Sequence, residues 1–154
     1  MKTNTALYWM LGAVTCALSQ PSVAAENCRG WDVLTTLSSE TLDLGKDHTL
    51  TVVRQTSALT TENAPIYDQM TGECTGSILS MPGGAVRAVG YCLRHDKDGD
   101  TASIEWGVEP GATRGYWKST AGTGKFAGKA DSGWSELVRT DAKIEMVKWG
   151  GTCK

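Results

Sequence analysis

Three turn signals constrain the fold of this chain more than any other feature. Pro82-Gly83-Gly84-Ala85, Asp96-Lys97-Asp98-Gly99-Asp100 and Thr140-Asp141-Ala142-Lys143 each stand between short runs rich in Val, Ile, Thr, Trp and Tyr. Such runs, bounded by Gly, Asp and Pro, read as strands joined by tight turns. Beyond residue 25 no long stretch carries helical periodicity. Only Asp32 to Leu42 suggests a short helix, and its Thr and Ser content and the following Gly45 weaken it. The expectation is an all-β, antiparallel domain, closed as a barrel, with a β-sandwich as the alternative. Closing a barrel removes exposed strand edges, and the 18 glycines relieve its bends.

The turns also predict registers. With Asp98-Gly99 as a two-residue loop, Tyr91 lies opposite Trp106 and Cys92 opposite Glu105. With Asp141-Ala142 as the loop, Trp134 faces Trp149 and Leu137 faces Met146. With Gly83-Gly84 as the loop, Cys74 falls opposite Leu93, and an adjustment of one residue sets it opposite Cys92. That adjustment brings two sulfurs near bonding distance, so Cys74–Cys92 is the preferred disulfide. Cys28–Cys153 follows by elimination and would tie the two ends together.

The cysteines are read as disulfides because of the first segment. Lys2 is followed by an uncharged, mainly apolar run, Ala6 to Ser19, and then by Ser22-Val23-Ala24-Ala25. Basic start, apolar middle and small-residue end are the parts of a secretory signal peptide, which predicts cleavage near residue 25. The run is shorter than the roughly 20 residues that span a bilayer. Cys16 leaves with the leader, and four of the five cysteines remain in an exported chain. Residues 1–25 are therefore expected to be the leader and 26–154 a single disulfide-bonded domain, periplasmic or secreted. A net charge of −2 argues against a nucleic-acid partner or an anionic membrane surface.

Motifs that carry chemistry are sparse. Gly122-Thr123-Gly124-Lys125 has neither the spacing nor the following Ser or Thr of a phosphate loop, and reads as a glycine-rich turn. Asp96, Asp98 and Asp100 resemble the first half of a calcium loop. The glycine and glutamate such a loop needs later are Thr101 and Gly107 here, so a solvated hairpin tip is expected. His48 and His95 have no partner set that would make either a catalytic base. No cofactor or metal is indicated. Trp31, Trp106, Trp117, Trp134 and Trp149 remain to fill a core or line a ligand cavity.

The stretch Gly115-Tyr116-Trp117-Lys118-Ser119-Thr120-Ala121-Gly122-Thr123-Gly124-Lys125-Phe126-Ala127-Gly128 resembles the Gly-Thr-Gly-Lys-Phe/Tyr-x-Gly hairpin of small exported bacterial β-barrel proteins. Gly90-Tyr91-Cys92 and the Asp96–Asp100 turn extend the likeness to a group of uncharacterised exported bacterial proteins. A similar turn occurs in dirigent and allene oxide cyclase-type barrels. The resemblance implies a calycin-like barrel and carries over no catalytic residue. In this chain Lys129-Ala130-Asp131-Ser132-Gly133-Trp134 follows where a further glycine-rich strand would be usual, which predicts an interrupted or shifted strand there.

These readings converge on an exported barrel that binds a small, partly apolar ligand and is not an enzyme. Tyr91, Trp106 and Trp117 are the expected ligand contacts, with Arg94 or Arg87 as a polar anchor. A second reading is a protein-interaction module, such as a hydrolase inhibitor, that presents the loop Gly107 to Arg114. A third is a cyclase or isomerase using Glu105, Asp68 or His95 as acid or base.

Overall fold

The computed structural model describes residues 26–154; the expected leader lies outside the described residues. Eight strands follow one another: β1 (Cys28–Gly45), β2 (His48–Thr61), β3 (Met70–Ser80), β4 (Val86–His95), β5 (Thr101–Val108), β6 (Gly115–Gly122), β7 (Ser132–Asp141) and β8 (Ile144–Thr152). Each pairs antiparallel with the next, and β8 returns to β1, so the sheet closes as an up-and-down barrel. This decides for the barrel over the sandwich. Closure pairs the edges that an open sheet would leave free.

Asp32 to Leu42 is not helical but lies within β1. Trp31, Asp32, Val33 and Leu34 are paired on both sides, with β2 and with β8. Two sets of ladder bonds override a weak local helix preference. The strand ends in a turn where Gly45, Lys46 and Asp47 all have positive φ.

Both disulfides are formed, Cys74–Cys92 and Cys28–Cys153. Cys74 faces Cys92 directly across β3 and β4, the adjusted register. Cys28 begins β1, and Cys153 follows β8. Asn27 secures the same junction: its side-chain amide donates to the Cys153 carbonyl at 2.8 Å and its Oδ1 accepts the Cys153 N–H at 2.7 Å.

Two other registers differ from expectation by one residue. The β4–β5 turn is longer than Asp98-Gly99, because the Asp96 carboxylate accepts the backbone N–H groups of both Asp98 and Asp100 at 2.9 Å. Of these loop residues only Gly99 has positive φ, whereas a two-residue type I′ turn requires it at both central positions. His95 then pairs with Thr101, Cys92 with Ile104, Tyr91 with Glu105 and Gly90 with Trp106. In the β7–β8 hairpin Asp141 pairs with Ile144, so Ala142-Lys143 is the loop, and a bulge at Val138 shifts the ladder again. Trp149 faces Ser135, Leu137 faces Val147 and Trp134 faces Gly150.

The core fills one end of the barrel. Phe126 and Met70 are almost completely buried there with Cys28 and Tyr67, and Trp117 meets Trp149 edge to face with ring centroids 5.9 Å apart. Phe126 belongs to the glycine-rich turn, whose short 3-10 segment Gly124–Phe126 folds the phenyl ring inward against Tyr67. A Cβ on Gly122 would lie 2.5 Å from the Phe126 carbonyl oxygen, so the turn needs glycine there. β7 begins only at Ser132, after a non-strand segment that buries Asp131.

Candidate functional site

Above that floor the barrel encloses a cavity of about 470 Å³, within the size range of small-molecule sites. Side chains alternate along each strand, so one face of every strand looks inward. Val53, Gln55 and Leu59 of β2, Ala88, Cys92 and Arg94 of β4, and Ile104 and Trp106 of β5 line it. At the far end it opens between Val108, Ala112, Thr113, Arg114 and Leu137. Leu137 is more than half exposed at this mouth.

Trp106 owes its position to two glycines. Val53, Gly76, Gly90 and Trp106 occupy successive positions of one inward row across β2 to β5. A Cβ on Gly76 or Gly90 would lie 2.5 Å or 2.4 Å from Cζ2 of Trp106. The indole therefore lies across β3 and β4 where any side chain would displace it. Trp117 is deeper and donates its Nε1–H to the Gly150 carbonyl at 3.2 Å. Trp149 also lines the cavity, and its buried Nε1 has no hydrogen-bond partner.

A polar cluster is set into this apolar wall. Arg94 reaches across the barrel to Asp32, with Nη2 to Oδ2 at 2.5 Å, and its Nε donates to Ser57 Oγ at 2.8 Å. Ser57 in turn donates to Asp32 Oδ1 at 2.8 Å. Gly72, opposite both Ser57 and Arg94, puts no side chain in the path. Asp32 and Ser57 are almost wholly buried, so their mutual bonds replace the water each has lost. A second pair, Gln55 Nε2 to Glu145 Oε2 at 3.1 Å, bridges β2 and β8.

Of the expected contacts, Trp106, Trp117 and Arg94 line the cavity, and Arg94 does so already neutralised by Asp32. Tyr91 does not line it. The one-residue register difference puts it on the outer wall, 54% exposed, with its hydroxyl donating to Glu105 at 3.3 Å. Arg87 is also outside, 3.6 Å from Glu109. Trp134 packs beneath the Arg114 guanidinium, 4.1 Å from the ring centroid, and donates to Glu26.

None of the expected acids or bases faces the cavity. Glu105 sits on the outer wall, where the hydrogen bond from Lys118 holds its carboxyl below the ordinary range. Asp68 accepts the Thr61 N–H at 3.1 Å, and His95 lies 3.4 Å from Thr71 Oγ1. His48 bonds the Lys46 carbonyl in the β1–β2 turn. The interior acids are instead Asp32 and Glu145. Their signal was the two-residue alternation of β1 and β8, hidden by the helical reading of residues 32–42 and the misplaced β7–β8 turn.

The Asp96–Asp100 tip is held by a cation of the chain itself. Lys125 pairs with Asp96 and with Asp98, and its hydrogen bonds draw both carboxyls below their usual range. Among the described residues no group of three or more His, Cys, Asp or Glu side chains is placed to hold a metal ion. On the floor, Tyr67 donates to Asp131, whose other oxygen accepts the Lys154 N–H at 2.7 Å. Burial, reinforced by Asp131, pushes the Tyr67 phenol far up.

The chain matches no protein-family model and no curated protein.

Proposed function

We propose that this protein is an exported carrier that holds a small, partly apolar ligand inside the barrel. The observation that carries the reading is the cavity of about 470 Å³, open at one end, walled mainly by apolar side chains and floored by Trp117 and Trp149. The unpartnered Trp149 N–H adds to it, because a buried donor without an acceptor costs about 1–3 kcal/mol. A ligand acceptor or a trapped water would relieve that cost. The two disulfides fit an oxidising compartment, and residues 1–25 would be the leader that delivers the chain there. The likeness of the Gly115–Gly128 stretch to dirigent and cyclase-type barrels agrees with a role for the cavity.

Native mass spectrometry of the protein purified from its own exported fraction tests this. The expected spectrum shows added mass that is lost on denaturation. The Trp106→Ala protein, purified in the same way, should keep both disulfides and lose the added mass. A bare mass for the natural chain would overturn carriage. It would favour the second reading, a protein-interaction module such as a hydrolase inhibitor. The exposed Leu42, Leu44 and Val52 on the arm formed by β1 and β2 support that alternative.

A further inference from the structure

Five charged residues border the cavity: Asp32, Arg94 and Glu145 inside it, and Arg114 and Glu136 at its rim. Four of them cancel in pairs. Arg94 meets Asp32 at 2.5 Å, and Arg114 meets Glu136 at 3.1 Å. Glu145 is left over. No Lys or Arg nitrogen among the described residues lies within ion-pair distance of it, and the only side chain bonded to it is Gln55, through Oε2. Gln55 is itself 97% buried, so the amide that orients this carboxylate is fixed in the wall. The lining carries one uncompensated negative charge, and no lysine faces it.

From this charge balance we infer that the cavity selects a cationic amphiphile, a small molecule with an apolar body and a protonated amine that pairs with Glu145. The inference rests on the carrier reading and adds the chemistry of the ligand. An anionic ligand would find Arg94 already occupied by Asp32 and would face the charge of Glu145. A neutral ligand would gain the apolar walls alone. A cationic one gains the walls and a charge-assisted hydrogen bond to the free Oε1 of Glu145. Glu145 is only partly buried, so the amine keeps part of its hydration while its apolar body descends toward the floor.

Three probes with the same naphthalene body separate these contributions: naphthylmethylamine, naphthylmethanol and naphthoate. Each is titrated into the full-length folded protein at pH 7, with quenching of tryptophan fluorescence as the readout. The amine should bind about tenfold or more tighter than the alcohol, the effect of one charged hydrogen bond, and naphthoate the weakest. Glu145→Gln should bring the amine down to the alcohol and leave the alcohol unchanged. Glu136→Gln should keep the preference. Equal or weaker binding of the amine beside a bound alcohol overturns the selectivity and leaves carriage standing. So does a preference that survives Glu145→Gln. Failure of all three probes to bind overturns carriage and selectivity together. The comparison of probes on the natural chain needs no variant, so it decides the matter even if Glu145→Gln does not fold.

Discussion

The two ends of the barrel are built on opposite terms. At the floor, Phe126, Met70, Cys28 and Asp131 are almost without exposure, and the Cys28–Cys153 disulfide and the Asn27 bonds join the two ends of the domain. At the mouth, β1 outruns its neighbour. Its ladder to β8 stops at Thr35 and Ile144, while its ladder to β2 continues to Gly45 and His48. Leu42, Leu44 and Val52 on that arm are each about half exposed, as are Leu137, Val138 and Ile144 on the facing hairpin. Stability is concentrated where the chain closes, and access is left where it does not. The proposed carriage would use both, a floor that holds the cavity's shape and a rim that can yield without unfolding the wall.

The largest effect should separate the two disulfides. Cys28 and Cys153 are 125 residues apart, and Cys74 and Cys92 are 18 apart. Loop-closure entropy assigns the long bridge about 4–5 kcal/mol and the short one about 3 kcal/mol. Thermal melts of the two double-serine variants should therefore show the greater loss for the floor bridge. The reverse order would show that the middle of the wall, not the floor, anchors the barrel. Next in size is Leu59→Ala at the floor. Leu59 is 7% exposed in the main cluster, and its truncation should cost about 2–5 kcal/mol in denaturant unfolding.

A smaller, pH-dependent effect comes from Tyr67. Its folded-state proton is held more tightly than in the unfolded chain, because burial and Asp131 both oppose the phenolate. The stability this provides is complete below the unfolded tyrosine value of about 10 and is lost as the pH rises through the higher folded value. The natural chain should lose melting temperature more steeply above about pH 10 than Tyr67→Phe does. Below that pH the variant should be offset by a constant loss of the hydrogen bond to Asp131. Parallel curves across the alkaline range would mean that the Tyr67 hydroxyl is not closed off at the floor.

Much of the fold was legible because turns and alternation are local signals. Pro82-Gly83-Gly84 led to the Cys74–Cys92 pairing, and the runs of β-branched residues led to the barrel. What escaped lay in two turns and one bulge. The Asp96 carboxylate, bonded to two N–H groups, lengthened one turn; the β7–β8 loop fell one residue later than expected, at Ala142-Lys143, and the bulge at Val138 took back half of the resulting slip. Because a strand's side chains alternate, one residue suffices to move a contact from cavity to solvent, as it did for Tyr91. The site suffered more than the fold for this reason. Trp106, Trp117 and Arg94 were legible as aromatic and basic residues on strands. Asp32 and Glu145 were not, because a buried acid is recognised only once its partner or its solitude is known in three dimensions.

The smallest expected effect tests the mouth directly. Leu42→Ala removes the same atoms as Leu59→Ala, but from a side chain that is 49% exposed and has no β8 neighbour. Little apolar surface returns to water and no closed cavity is left, so the cost should stay within about 0.5 kcal/mol. Between Thr36 and Leu44 the arm's free edge exposes Leu37, Leu42 and Leu44 beside Glu40 and Asp43 and carries no lysine, which leaves it open to strand pairing with another chain. Leu42→Ala should accordingly leave the denaturation midpoint almost unmoved while lowering concentration-dependent association in sedimentation velocity. A loss as large as that at Leu59 would show the arm folded against the barrel in solution, and would erase the contrast between its two ends.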